Sequence, residues 1–236
     1  AVGGNDASVA DHAIALMLAL LHRLRESQMQ MERGAWQILV GGELYRKTVG
    51  IVGLGRTGRA LVQRLRGFDV QLLATSAHWD EDYARANGIR RAELRELLEA
   101  SDIVSLHVPL SAQTQGLVDE RALARMKPSA ILINTSRGGV VDDAALLRAL
   151  QAGQLAGAGL DVFASESDAQ AVPTTQALIA LPNVVATPHA AASTREGLAR
   201  TNRIAAESIV AVLDGRNPRP ECVVADGRTL FSKAIA

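Results

Sequence analysis

The apolar positions of this chain change their period repeatedly, and the changes mark its elements. Short apolar runs read as buried strands at Thr48–Val52, Val70–Ala74, Ile103–Val108, Ala130–Asn134, Ala158–Val162 and Val184–Thr187. Between them apolar side chains return at helical spacing, over Gly55–Arg66, Leu94–Glu99, Asp142–Ala152 and, last, Ser193–Leu213. Ahead of the first strand, Val9–Leu24 has the same spacing but is apolar on more than one face, which predicts burial against a substantial surface. Ser8 followed by Asp11 reads as a capping box at its start, with Asp in the place of Glu. Apolar strands alternating with helices predict parallel strands with crossover helices on both faces. The expected fold class is α/β: a doubly wound parallel sheet in three α/β/α layers. The tail from Gly215, with Pro218 and Pro220, is expected to be irregular and suited to wrapping onto a partner or a further lobe.

Composition narrows the function. The chain has 236 residues, 48% of them apolar, and a length of this order buries roughly three quarters of the unfolded surface. Lys and Arg number 25 and so do Asp and Glu, so clustered cations for nucleic acid or an acidic membrane are not expected. Aromatics at 3% argue against a base-stacking platform. The single cysteine, Cys222, excludes an internal disulfide framework and a Cys-rich zinc site, and it fits a reducing cytoplasm; no metal is expected. The apolar run Ala13–Leu21 is too short to span a bilayer, and Asp6 and Asp11 precede it where a secretory signal carries cations. The expectation is a soluble cytoplasmic protein.

Gly53-Leu54-Gly55-Arg56-Thr57-Gly58 is a G-x-G-x-x-G element that follows an apolar strand and opens a helix, the context in which this motif binds a dinucleotide. Gly53 permits the tight turn, Gly55 lets backbone approach a pyrophosphate, and Gly58 lets helix and strand pack closely. The helix N-terminus adds N–H donors and the positive end of its dipole. At the end of the second strand, where proteins that prefer NAD place an acid on the ribose, this chain has Ser76. No carboxylate stands there to repel a 2′-phosphate and no arginine follows directly to bind one, so NAD and NADP both stay open. Asp80 and Glu81, a little further on, read as caps of the next helix.

Three further segments belong together: Asn134-Thr135-Ser136-Arg137-Gly138-Gly139, Gly159-Leu160-Asp161-Val162-Phe163 with Glu166, and Thr187-Pro188-His189. Each follows a predicted strand, and in a parallel sheet the strand C-termini line one crevice. An arginine, an acid and a histidine can meet there. His107, inside a strand pattern, reads instead as a hydrogen-bonded core residue.

These motifs, with Val9-Ala10-Asp11-His12 and His107-Val108-Pro109-Leu110, occur in the order seen in the D-isomer-specific 2-hydroxyacid dehydrogenases, which the chain resembles from about Ser8 to about Pro218. The resemblance implies a Rossmann fold and reversible hydride transfer between NAD or NADP and a small 2-oxo or 2-hydroxy acid, in the manner of glyoxylate and hydroxypyruvate reductases. It implies that Arg137 binds the substrate carboxylate, that His189 is the general acid and base, and that Glu166 orients His189. Arg56, Thr57, Val108, Pro109, Thr114, Thr135, Ser136 and Asp161 would line the cofactor beside Gly53, Gly55, Gly58 and Ser76. Two departures touch cofactor geometry: Ser167 follows Glu166 where proline is usual, and Ala191 stands where glycine is common.

By the same resemblance, residues 1–44 hold a leading helix and a dimerisation segment, with Trp36 at or near the contact of a homodimer. Residues 45–192 form the dinucleotide domain with the catalytic residues, and 193–236 a C-terminal helix and irregular tail. Relatives carry an additional N-terminal lobe, and the chain joins their pattern at the helix that follows it. Alone it is expected to bind a dinucleotide and to turn over 2-oxo acids poorly. Two other readings stay open: a non-enzymatic nicotinamide-sensing module, as in corepressor relatives, and phosphite oxidation. Formate oxidation is disfavoured, because there a glutamine stands where this chain has Glu166.

Overall fold

Seven strands lie side by side, all parallel, in the order β3-β2-β1-β4-β5-β6-β7, in a computed structural model that describes residues 2–223. They are β1 Thr48–Val52, β2 Gln71–Thr75, β3 Ile89–Arg91, β4 Ile103–Leu106, β5 Ile131–Asn134, β6 Gly157–Leu160 and β7 Val184–Ala186. The helices are α1 Asp6–Leu21, α2 Leu24–Glu32, α3 Arg56–Leu65, α4 Glu81–Ala86, α5 Leu94–Ala100, α6 Glu120–Leu123, α7 Asp143–Gln151, α8 Val172–Ala180 and α9 Arg195–Leu213. The strand order reverses between β1 and β4, and open α/β sheets bind ligands at such a switch point, outside the strand C-termini. This is the doubly wound parallel sheet expected from the alternation of periods and the Rossmann fold that the resemblance implied, with β7 added at one edge.

Period-two patterning splits each strand between two layers of core. Val49 and Ile51 of β1, Ile103 of β4, and Ile131 and Ile133 of β5 face one side, with Leu61, Val62 and Leu65 of α3 and Ala13, Leu16 and Met17 of α1. Val104 and Leu106 of β4 and Leu132 of β5 face the other, with Leu97 and Leu98 of α5, Leu146 and Leu150 of α7 and Leu178 of α8. Gly159 makes room for α1: a Cβ there would lie 2.9 Å from the Cβ of Leu16. That close approach explains why a helix apolar on more than one face is stable here.

The described chain divides into two compact units, Val9–Ala191 and the chain on either side of it, up to Ser8 and from Ala192. Most of α1 packs into the same core as β1. In the smaller unit the hydroxyls of Ser8 and Thr194 lie 2.7 Å apart, and Arg200 Nε donates to the carbonyl of Gly4 at 2.8 Å. Thr194 caps α9, its hydroxyl accepting the Gly197 amide at 2.9 Å. The expected tail beyond residue 223 lies outside the described residues.

The capping box expected at Ser8 does not form. The helix begins at Asp6, Ser8 turns to Thr194, and Asp11 pairs with Arg64 of α3. The predicted Val9–Leu24 helix ends at Leu21, where Arg23 takes a left-handed φ of 52° before α2 starts.

His107, just past β4, is the core residue its setting implied. It is buried, its Nε2 lies 2.9 Å from the hydroxyl of Ser105, and burial lowers its pKa to about 4. The folded chain therefore refuses a proton that the unfolded chain takes up below about pH 6.5. Stability should be insensitive to this group above that pH and should fall as pH drops toward 4, by about 3 kcal/mol in all. Unfolding free energies measured from pH 7 to 4 should lose that part of their slope in His107→Gln; equal slopes would disprove the assignment.

Candidate active site

The turn after β1 is shaped by contacts that admit only glycine at two positions. Gly53 has a φ of 102°, donates its N–H to Thr75 O at 2.8 Å, and would place a Cβ 2.7 Å from His107 O. A Cβ on Gly58, in the first turn of α3, would run into the carbonyl oxygen of Gly53. Gly55 differs. As N-cap of α3 it has a φ of −73°, which any residue tolerates, and an added Cβ would meet no protein atom within 4 Å. The space beside Gly55, at a helix N-terminus with its N–H donors, fits a pyrophosphate. At the end of β5 the hydroxyl oxygen of Thr135 is buried without a hydrogen-bond partner among the described residues, which fits a polar ligand atom there.

Ser76 follows β2 and donates to His78 O at 3.2 Å. Asp80 caps α4, as its position implied: the Tyr83 amide, and then the Arg59 guanidinium, hold its carboxyl below the usual range. After β4, Thr114 closes the loop that carries Val108 and Pro109: its hydroxyl donates to Pro109 O at 2.6 Å and accepts from the Ser111 amide at 2.8 Å.

The arginine loop is built on Asn134. Its Oδ1 accepts from the amide and hydroxyl of Ser136 at 3.0 and 2.8 Å, and its Nδ2 donates to Arg137 O at 3.1 Å. Arg137 is exposed and its guanidinium rests on Ser136 O at 2.6 Å. Gly138 passes so close to Phe163 that a Cβ would strike the carbonyl oxygen, which brings the arginine loop against the turn carrying Glu166.

That turn, a single 3-10 turn Ala164–Glu166, is fastened at its start by two carboxylates. Glu166 Oε1 accepts the Phe163 amide at 2.8 Å, and Asp143 of α7 accepts the Ala164 amide at 3.0 Å. Burial raises the pKa of Asp143 against the opposing effect of that amide. Asp143 is a positioning group that sequence reading missed, because an acid in the first turn of a helix looks like an ordinary dipole partner.

Glu166 Oε2 lies 2.6 Å from His189 Nδ1, with both side chains close to half exposed. A carboxylate on Nδ1 fixes the proton there in the neutral ring and leaves Nε2 as the atom that gains or gives a proton. His189 has a φ of 52°, a left-handed conformation costing a non-glycine residue about 1–2 kcal/mol. Asp161 holds it. The Asp161 carbonyl accepts the His189 amide at 2.8 Å, and its buried carboxylate accepts the amides of Ala190 and Ala191 at 2.8 and 2.9 Å.

Glu166 and His189 thus meet directly, and the Arg137 loop packs against their turn. The glycine turn and Thr135 sit at the ends of β1 and β5, the strands on either side of β4. A separate cavity of about 420 Å³ opens at the opposite ends of the strands, among Lys47, Asp102, Ile131 and Asn183, away from this chemistry.

The sequence profile of the D-isomer specific 2-hydroxyacid dehydrogenase NAD binding domain matches residues 14–191. Glyoxylate reductase of Korarchaeum cryptofilum is 41% identical over 217 residues, covering 89% of this chain and 64% of that protein. D-3-phosphoglycerate dehydrogenase of Archaeoglobus fulgidus is 39% identical over 91% of this chain and 40% of its own length. The chain therefore spans less than two thirds of either curated relative. D-lactate dehydrogenase from Aquifex aeolicus, solved with NAD and lactic acid, superposes with a TM-score of 0.84 at 32% identity, covering 91% of this chain and 68% of that one.

Proposed function

The chain belongs to the D-isomer specific 2-hydroxyacid dehydrogenase family, by its NAD-binding domain, and on that premise we propose that its protein reduces a small 2-oxo acid reversibly to the D-2-hydroxy acid. The observation that carries the reading is the Glu166–His189 pair beside the arginine loop. Bound NAD(P)H supplies the hydride. Arg137, released from Ser136 O, offers the substrate carboxylate a planar fork of donors. His189 gives the proton on Nε2 to the carbonyl oxygen as charge develops there, and takes it back in the oxidative direction. Glu166 holds the ring and stabilises the imidazolium from which that proton comes.

Gly53, Gly55, Gly58, Arg56 and Thr57 would hold the pyrophosphate, and Thr135, Ser136 and the Val108–Thr114 loop the nicotinamide half. Ser76 leaves the adenosine ribose open to either NAD or NADP. The expected substrates are glyoxylate, hydroxypyruvate and pyruvate, and a chain with one cysteine suits the cytoplasm.

A homodimer completes the reading. Trp36, Ile38 and Val40 stand at alternate positions of a segment without regular structure and are 87%, 88% and 85% exposed, apolar surface that a partner would cover. A second copy would cover it, and light scattering on the full-length protein should give twice the chain mass.

Steady-state turnover of these acids by the full-length protein, with NADH and NADPH, tests the proposal; no turnover of any would overturn it. In the same assay Ser76→Asp should raise KM for NADPH by charge repulsion and spare NADH. Equal effects on both would move Ser76 away from the ribose.

A further inference from the structure

Sequence reading gave His12 no role, yet it touches the network that holds the proposed catalytic loop. His12 lies on α1, 175 positions before Thr187, and its Nε2 is 2.9 Å from the Thr187 hydroxyl. That hydroxyl donates its one proton to Asp161 Oδ1 at 2.5 Å. The oxygen can therefore only accept from His12, and the histidine must carry its proton on Nε2. Asp161 in turn accepts the amides of Ala190 and Ala191, which directly follow His189 in its left-handed conformation. One N–H on the leading helix thus fixes the direction of the hydrogen bonds that end at the catalytic loop.

We propose that His12 is a positioning residue for His189, acting through Thr187 and Asp161. This rests on the reading of His189 as the general acid. Without the His12 donor the Thr187 proton is free to turn away from Asp161, and the carboxylate loses one of the bonds that fix it beneath residues 190 and 191. The His189 ring then leaves its aligned position against Glu166, and proton transfer is sensitive to such displacement. Arg137 and the glycine turn lie on other strand ends, and the carboxylate of buried Asp161, expected to line the cofactor, is instead taken up by Thr187, Ala190 and Ala191, so substrate and dinucleotide binding should barely change.

Two substitutions separate positioning from packing. Leu replaces the ring of His12 without a donor, whereas the Gln amide nitrogen can reach the place of Nε2. In the full-length protein, His12→Leu should lower kcat about tenfold and leave KM for the 2-oxo acid and the Kd for NADH within about twofold. His12→Gln should return kcat to within about twofold of wild type. Thr187→Val should match the Leu variant, and combining the two should add nothing further. In the 236-residue chain, amide exchange at Ala190 and Ala191 should quicken in His12→Leu and recover in His12→Gln. Unchanged kcat and exchange in His12→Leu, or a loss that Gln does not rescue, would overturn the proposal. If wild type shows no turnover, the general-acid reading fails, and exchange alone still decides whether His12 holds the loop.

Discussion

His189→Ala should lose about 10²–10⁴-fold in kcat while the Kd for NADH stays close to that of wild type. Glu166 lies 2.6 Å from one ring nitrogen, Nδ1, which leaves Nε2 for the proposed proton transfer. Removing the ring takes away proton delivery, and it disturbs neither the glycine turn nor Thr135, which lie on other strands. Glu166→Gln should show a milder loss, because the amide still bonds Nδ1 but no longer stabilises the imidazolium. Stopped-flow turnover beside a fluorescence titration of NADH separates the two effects. Near-normal kcat in His189→Ala would remove the histidine from the chemistry.

The second large effect divides two glycines of one motif. Gly58→Ala forces a Cβ against the carbonyl oxygen of Gly53, so α3 must move off β1. Overpacking of this kind costs about 1–3 kcal/mol, and the displaced helix should also lose dinucleotide affinity by tenfold or more. Gly55→Ala meets no protein atom and keeps an ordinary φ, so its thermal stability should match wild type. Its affinity for NADH should nevertheless fall about as far, because the space its Cβ enters is the space expected for the pyrophosphate. Thermal unfolding and NADH titration of both variants check the pair. Unchanged NADH affinity in Gly55→Ala would place the cofactor elsewhere.

The sheet was legible in the sequence because a parallel strand buried on both faces is a nearly unbroken apolar run. Strands β1, β4, β5 and β6 are all of this kind. Strand β3 escaped the same reading: in Ile89-Arg90-Arg91 only Ile89 is buried, and three residues carry no period. Helix α6 has four residues, and the first turn of α8 holds Pro173 and two threonines after Val172, so neither gives a helical stripe. The start of α1 was misplaced because Ser8 has the right spacing to Asp11 for a capping box, while its hydroxyl is used 186 positions away on Thr194.

The site divides along the same line. Gly53, Gly58, Glu166 and His189 stand in local motifs whose spacing carries their chemistry. Asp143, Thr187 and His12 act through bonds between distant segments, and nothing local marks them. Asp161 was legible as a strand-end acid, but the three bonds that fasten residues 187–191 to its carboxylate were not.

Titration of the 236-residue chain with NADH and NADPH, read by energy transfer from tryptophan to the reduced nicotinamide, tests the central claim most directly. Saturable binding of at least one cofactor at one site per chain is expected, unchanged in His189→Ala and weakened at least tenfold in Gly55→Ala. A folded chain that binds neither cofactor, or that binds equally well with Gly55 replaced, would contradict the assignment of the strand ends as a dinucleotide site.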